Sequence, residues 1–136
     1  MRFNQDEGGA TAVEFAMILP VFIAMVFGIV VFGSYLAIVH GVQQLAAEAA
    51  RRSVAGLNDA ERSSLATGYV TSSVGSYPLL SPAKINVVAG PSSGSANAYI
   101  VTVKYDGSSD FLFSLPFVPH PPFPVTRSAV IPYGGY

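Results

Sequence analysis

The sequence predicts an α+β chain, a long N-terminal transmembrane α-helix followed by a small antiparallel sheet packed with one or two helices. Two observations carry this. No Asp, Glu, Lys or Arg occurs from Phe15 through Ala47, and the first 25 residues of that stretch, Phe15 to Val39, are nearly all apolar. Further on, segments rich in β-branched and aromatic residues alternate with Gly- and Pro-rich breaks, as short strands and turns do. A length of 136 residues fits one domain plus one appended element. Charged residues make up only 11% of the chain, less than half the usual share, and the deficit is concentrated in the apolar run.

A membrane-spanning helix needs roughly 20 apolar residues to cross a hydrocarbon core of about 30 Å. Phe15 to Val39 would rise about 37 Å, enough to cross with some tilt. A cleaved secretory signal would have an apolar region of about 7–15 residues behind clear positive charge. Here the run is longer, and Arg2 is offset by Asp6 and Glu7, although Ala47-Glu48-Ala49 has the small-x-small form of a cleavage site. A buried helix of a soluble protein fits less well, because the rest of the chain is too short to wrap 25 apolar residues.

Within the run, Ala12, Ala16, Ala24 and Gly28 lie on one helical row, and Gly33, Ala37 and Gly41 form another. Small residues let helix backbones approach closely, and lipid gives helices no hydrophobic incentive to associate otherwise. Gly and Ala are also simply frequent in membrane helices, so the pattern favours helix packing without requiring it. Pro20 removes the hydrogen bond to the carbonyl of Ala16 and is expected to kink the helix there.

Beyond the run, Val42 to Arg52 is rich in strong helix formers, and Gly56 offers a stop. Glu48 and Arg52 stand at i, i+4, where they can pair. Asn58-Asp59-Ala60-Glu61 has the form of a capping box opening a second helix. Leu65, Tyr69, Val70 and Val74 would be its buried stripe, ending near Gly75. Strands are expected at Lys84–Val88, Tyr99–Tyr105 and Val125–Ile131. The first two would form a hairpin across a flexible Gly90–Ser95 loop. Phe111 to Pro124 carries five prolines and should be an extended, polyproline-like loop. Its aromatics Phe113, Phe117 and Phe123 serve equally well as contacts for a partner or lipid headgroups and as lids on the small core, and sequence leaves both open.

Several function classes lose support. Net charge is −1, with no basic stripe for a phosphate backbone, so nucleic acid is not an expected partner. No cysteine is present, which excludes disulfides, thiolate catalysis and cysteine zinc sites. The two histidines, His40 and His120, show no metal-ligand spacing. No phosphate loop, dinucleotide fingerprint or nucleophile elbow occurs, so neither enzyme activity nor a cofactor is expected.

One acidic residue is out of place. Glu14 sits at the entrance of the apolar helix between Val13 and Phe15, where an uncompensated charge becomes costly with depth, although a headgroup-level position would leave it solvated. Just before it the chain reads Asp6-Glu7-Gly8-Gly9-Ala10-Thr11-Ala12-Val13-Glu14-Phe15. A short polar leader ends in Gly, and the apolar helix that follows has Glu as its fifth residue. This arrangement resembles the N-terminus of type IV prepilins and pseudopilins. With Phe15 and then Leu19-Pro20, it looks like the TadE-like minor pilins of the tight-adherence (Tad/Flp) pilus system. The resemblance covers about residues 2–41, with a weaker echo in the C-terminal strands. An Ala-rich, Arg-containing segment like the one around Arg51 also occurs in that family.

The resemblance implies a leader at 1–9, a transmembrane helix with an extramembrane extension at 10–57, and a small α+β domain at 58–136. The helix-then-sheet order fits the lollipop shape of pilins. A prepilin peptidase would cut between Gly9 and Ala10, guided by Glu14 and Phe15. Other pilin or pseudopilin subunits would pack through the N-terminal helix, at an inner-membrane assembly platform and among membrane lipid. The expected location is the bacterial inner membrane, with a cytoplasmic N-terminus and a periplasmic domain, or the surface pilus. Arg51 and Arg52 on the far side of the run weaken the charge bias for that orientation. Cleavage would expose the Ala10 amine one helical turn from Glu14. An ion pair at about 4 Å is worth roughly 4 kcal/mol at an effective dielectric of 20, before desolvation is subtracted. The alternative is a membrane-anchored accessory protein of a secretion or envelope system that never polymerises.

Overall fold

The structure, a computed structural model, describes residues 7–95 and 97–132; of the leader expected at 1–9, residues 1–6 lie outside the described residues. The apolar run forms part of one continuous helix, α1 (Glu7–Ser53), about 70 Å long at 1.5 Å per residue. Helical geometry continues through Pro20. The helix ends at Ser53, whose carbonyl accepts from the Gly56 N–H in the turn that follows. A side chain at 56 would run into the Arg62 backbone, 2.6 Å from a Cβ, so the tight turn into the next helix needs glycine.

Helix α2 (Asp59–Ser73) starts as its sequence predicts. The Asn58 side chain accepts from the Glu61 N–H at 2.9 Å, and the Glu61 carboxylate reaches back to the Leu57 N–H at 2.9 Å. The reciprocal bond falls one residue before the cap itself. The buried stripe is Ala66, Val70 and Val74; Leu65, expected inside, is partly exposed because the stripe is shifted by one residue toward Ala66.

Strands β1 (Ile85–Pro91), β2 (Ala98–Tyr105) and β3 (Val125–Pro132) form an antiparallel sheet in the order β1-β2-β3. Register runs Val87 opposite Val103 and Val103 opposite Arg127. Strand β1 takes in Gly90 and Pro91, which were expected in the hairpin loop. Pro91 is tolerated because β1 is an edge strand. The alternation predicted for β2 holds, with Tyr99, Val101, Val103 and Tyr105 buried beneath the helices. The sheet lies against α1 through β2 and β3 and against α2 through β1.

The core of the domain draws in α1 from Val31 onward. Val31 and Ile38 are each 1% exposed, and Val42, Leu45, Ala46, Ala49 and Ala50 are fully buried in the same cluster as Tyr99 and Val70. The last third of the apolar run therefore packs against its own domain. The short remainder of the chain does cover that third, which the sequence argument did not anticipate.

Candidate functional site

From Gly8 to Phe15 the residues of the prepilin-like motif lie on the bare part of α1. Gly8, Gly9 and Ala10 are helical and exposed, and nothing approaches a Cβ placed at Gly8 or Gly9. Each glycine weakens a helix by about 1 kcal/mol relative to alanine, so two in succession make this turn easier to unwind. Unwinding is what a protease needs, since it must draw a peptide bond out of the helix to cut it. Glu14 stands one turn beyond Ala10 and is exposed, and among the described residues it enters none of the ion pairs. Phe15 beside it is 64% exposed.

From Val13 to Val30 the large apolar side chains are bare, Met17 and Val21 among the most exposed. Exposed apolar surface on this scale requires lipid or other helices to cover it. α1 is the one helix among the described residues that is long and apolar enough to cross a membrane. The 23 residues from Gly8 to Val30 rise about 34 Å, so the bare part alone spans a core of about 30 Å.

The small residues fall into two groups. Ala24 and Gly28 are partly shielded, while Gly33 and Ala37 lie open. A Cβ added at Gly28 or Gly33 would meet nothing within 4 Å. Gly41 is different: it is buried, and a Cβ there would sit 3.2 Å from Leu80 and 3.3 Å from Tyr77. Its smallness serves the chain's own α2–β1 connection.

The Pro-rich loop divides. Phe113 is buried and Phe123 half-buried, their rings 4.9 Å apart, and Phe123 also meets Tyr35 of α1 edge-on. Those two are lids on the core. Phe117 is 84% exposed and so is free for other contacts, as is Phe111.

Polar contacts tie the loops to the sheet. The Tyr105 hydroxyl donates to the Leu79 carbonyl at 3.1 Å and accepts from the Ser81 N–H at 3.3 Å. It thereby fixes a turn in which Leu79 has a left-handed φ of 71°. Burial pushes the Tyr105 hydroxyl pKa up. Lys84 pairs with Asp110 across the space between β1 and the Pro-rich loop, and that hydrogen bond raises the lysine's pKa. Asp106 caps the turn after β2; hydrogen bonds from the Ser108 side chain and from the Ser108 N–H, the latter at 3.1 Å, lower its pKa. The expected Glu48–Arg52 pair does not form. Glu48 pairs with Arg51 at 3.0 Å, and Arg52 lies over the Tyr69 ring of α2, 5.2 Å from its centre.

Sequence reasoning missed the role of Val31, Tyr35 and Ile38 as domain core. The signal was Ser34-Tyr35, a polar pair inside an otherwise aliphatic and phenylalanine run; both are partly buried.

Residues 9–51 match the family model described as TadE-like protein. The match begins at the candidate cleavage residue Gly9 and runs along α1, past the bare segment and into the part packed against the domain. No curated protein and no solved structure gives a match.

Proposed function

We propose that this TadE-like chain is a minor pilin or pseudopilin that takes part in assembling a Tad/Flp-type pilus. The observation that carries the proposal is the coincidence of the family match with a bare helix: Gly9, Ala10 and Glu14 stand exposed on the first turns of a membrane-length apolar helix. The chain is held N-in, a prepilin peptidase removes the leader after Gly9, and the new Ala10 ammonium becomes available. Glu14 of one subunit then meets the Ala10 amine of a neighbour, which neutralises a carboxylate that would otherwise enter the bilayer alone. The pairing also sets the axial register between packed helices, with Ala24, Gly28, Gly33 and Ala37 allowing close approach. No step requires bond-making by the protein itself, so its role is structural.

The test is incorporation. Glu14→Ala is expected to be cleaved normally yet to disappear from sheared filaments that contain the wild-type chain. Glu14→Ala recovered from filaments at the wild-type level would remove the assembly role of the carboxylate. A wild-type chain that is cleaved but retained only in the inner membrane would instead identify a non-polymerising accessory protein.

A further inference from the structure

The position of the domain along α1 has a consequence for the Pro-rich loop. The bare segment ends at Val30, and Val31 is the first fully covered residue of the helix. With the bare segment spanning the bilayer, the lower edge of the domain meets the outer membrane boundary. Tyr35, one turn above Val31, is held edge-on by Phe123, so the loop from Phe111 to Pro124 meets α1 near that edge through Phe123. This loop contains no Asp, Glu, Lys or Arg. Phe111 is 82% exposed and Phe117 84%, and Pro116 and Pro119 close to Phe117 in the chain are exposed too. Such side chains gain by leaving water for the boundary between headgroups and acyl chains.

We infer that the loop rests in the outer-leaflet interface and inserts Phe111 and Phe117 there, fixing the orientation of the domain on the membrane before assembly. The occupant is lipid. Through the Phe113–Phe123 and Tyr35–Phe123 contacts the loop is joined to the helix one turn beyond its bare apolar surface. Lacking charge, the loop depends on no anionic headgroup, so the contact is insensitive to salt and to the fraction of anionic lipid. The inference rests on the membrane-spanning reading of α1.

The chain has no cysteine, which allows clean single-site labelling. In full-length protein reconstituted one copy per lipid nanodisc, an environment-sensitive fluorophore is placed at His120→Cys in the loop, at Ser128→Cys on the outer face of the sheet, and at Ile23→Cys in the bare helix. A nitroxide-bearing lipid should quench the labels at 23 and 120 several-fold more than the label at 128. A water-soluble quencher should show the reverse order. Adding Phe111→Ser and Phe117→Ser should abolish the lipid quenching at 120 and leave it intact at 23. If the label at 23 responds to lipid while the label at 120 behaves like that at 128, the loop does not touch the bilayer and the inference is overturned. If the label at 23 also fails to respond, the spanning reading itself fails. Protection at 120 that arises only when several copies share a disc would make the occupant a neighbouring subunit and overturn the lipid assignment.

Discussion

The rings of Tyr35 and Phe123 meet edge-on, 5.5 Å apart at 90°, and this contact joins the apolar helix to the Pro-rich loop. It marks where α1 passes from bare to covered. Phe123→Ala should cost roughly 1–3 kcal/mol of domain stability, below the range for a fully buried phenylalanine because Phe123 is only partly buried. Phe117→Ala should stay within about 0.5 kcal/mol of wild type. Thermal unfolding of the detergent-solubilised chain separates the two.

The cap of α2 gives a second prediction. Asn58→Ala removes the acceptor for the Glu61 N–H and should destabilise the domain by about 1 kcal/mol. Asn58→Asp should retain most of it. The ellipticity of the folded baseline should hardly change, since α2 is held by its buried stripe as well as its cap.

Gly41 and Gly33 should respond oppositely to enlargement. Gly41→Leu forces atoms against Leu80 and Tyr77 and should lower domain stability by about 1–3 kcal/mol. Gly33→Leu meets open space in the isolated chain, so its melting temperature should be unchanged or slightly higher. Its effect should appear in incorporation into filaments, where a neighbouring helix would approach. Normal assembly of Gly33→Leu would exclude that face from helix packing.

Stability should fall on the alkaline side. Tyr77 and Tyr105, through burial, and Lys84, through Asp110, all hold their protons more tightly in the folded domain than their ordinary values of 10.0 and 10.5. Above about pH 10 the unfolded chain therefore releases protons that the folded chain retains, and stability declines as pH rises through the raised values. Tyr105→Phe and Lys84→Met should each flatten that decline. Asp106 acts on the acid side: its carboxyl pKa lies below the ordinary 3.8, so its contribution is present above that value and lost as pH falls through the lowered one. Asp106→Asn should make melting less dependent on pH in that range.

Much of the fold was legible because its signals are local. The Asn58 cap, the glycine stop at 56 and the alternation from Tyr99 to Tyr105 each specify an element from a few neighbouring residues. What was not legible depends on tertiary placement. A helix face covered by lipid and one covered by its own domain have the same composition, so Phe15–Val39 reads as one run although the structure divides it near Val31. The Pro-rich loop has the same difficulty, since Phe113 and Phe117 are identical in type and opposite in burial. Arg52 turned to Tyr69 because α2 brings a ring within reach, which no spacing along α1 foretells. The Gly9–Glu14 motif is six consecutive residues, and its proposed role depends on a surface outside this chain.

The N-terminal sequence of the mature chain, taken from cells with and without prepilin peptidase, tests the central claim most directly. Cleavage after Gly9 predicts a mature protein beginning at Ala10 in the presence of the peptidase and a retained leader in its absence. An intact leader on the wild-type chain in peptidase-bearing cells would contradict it, leaving Glu14 without the amine it is proposed to meet.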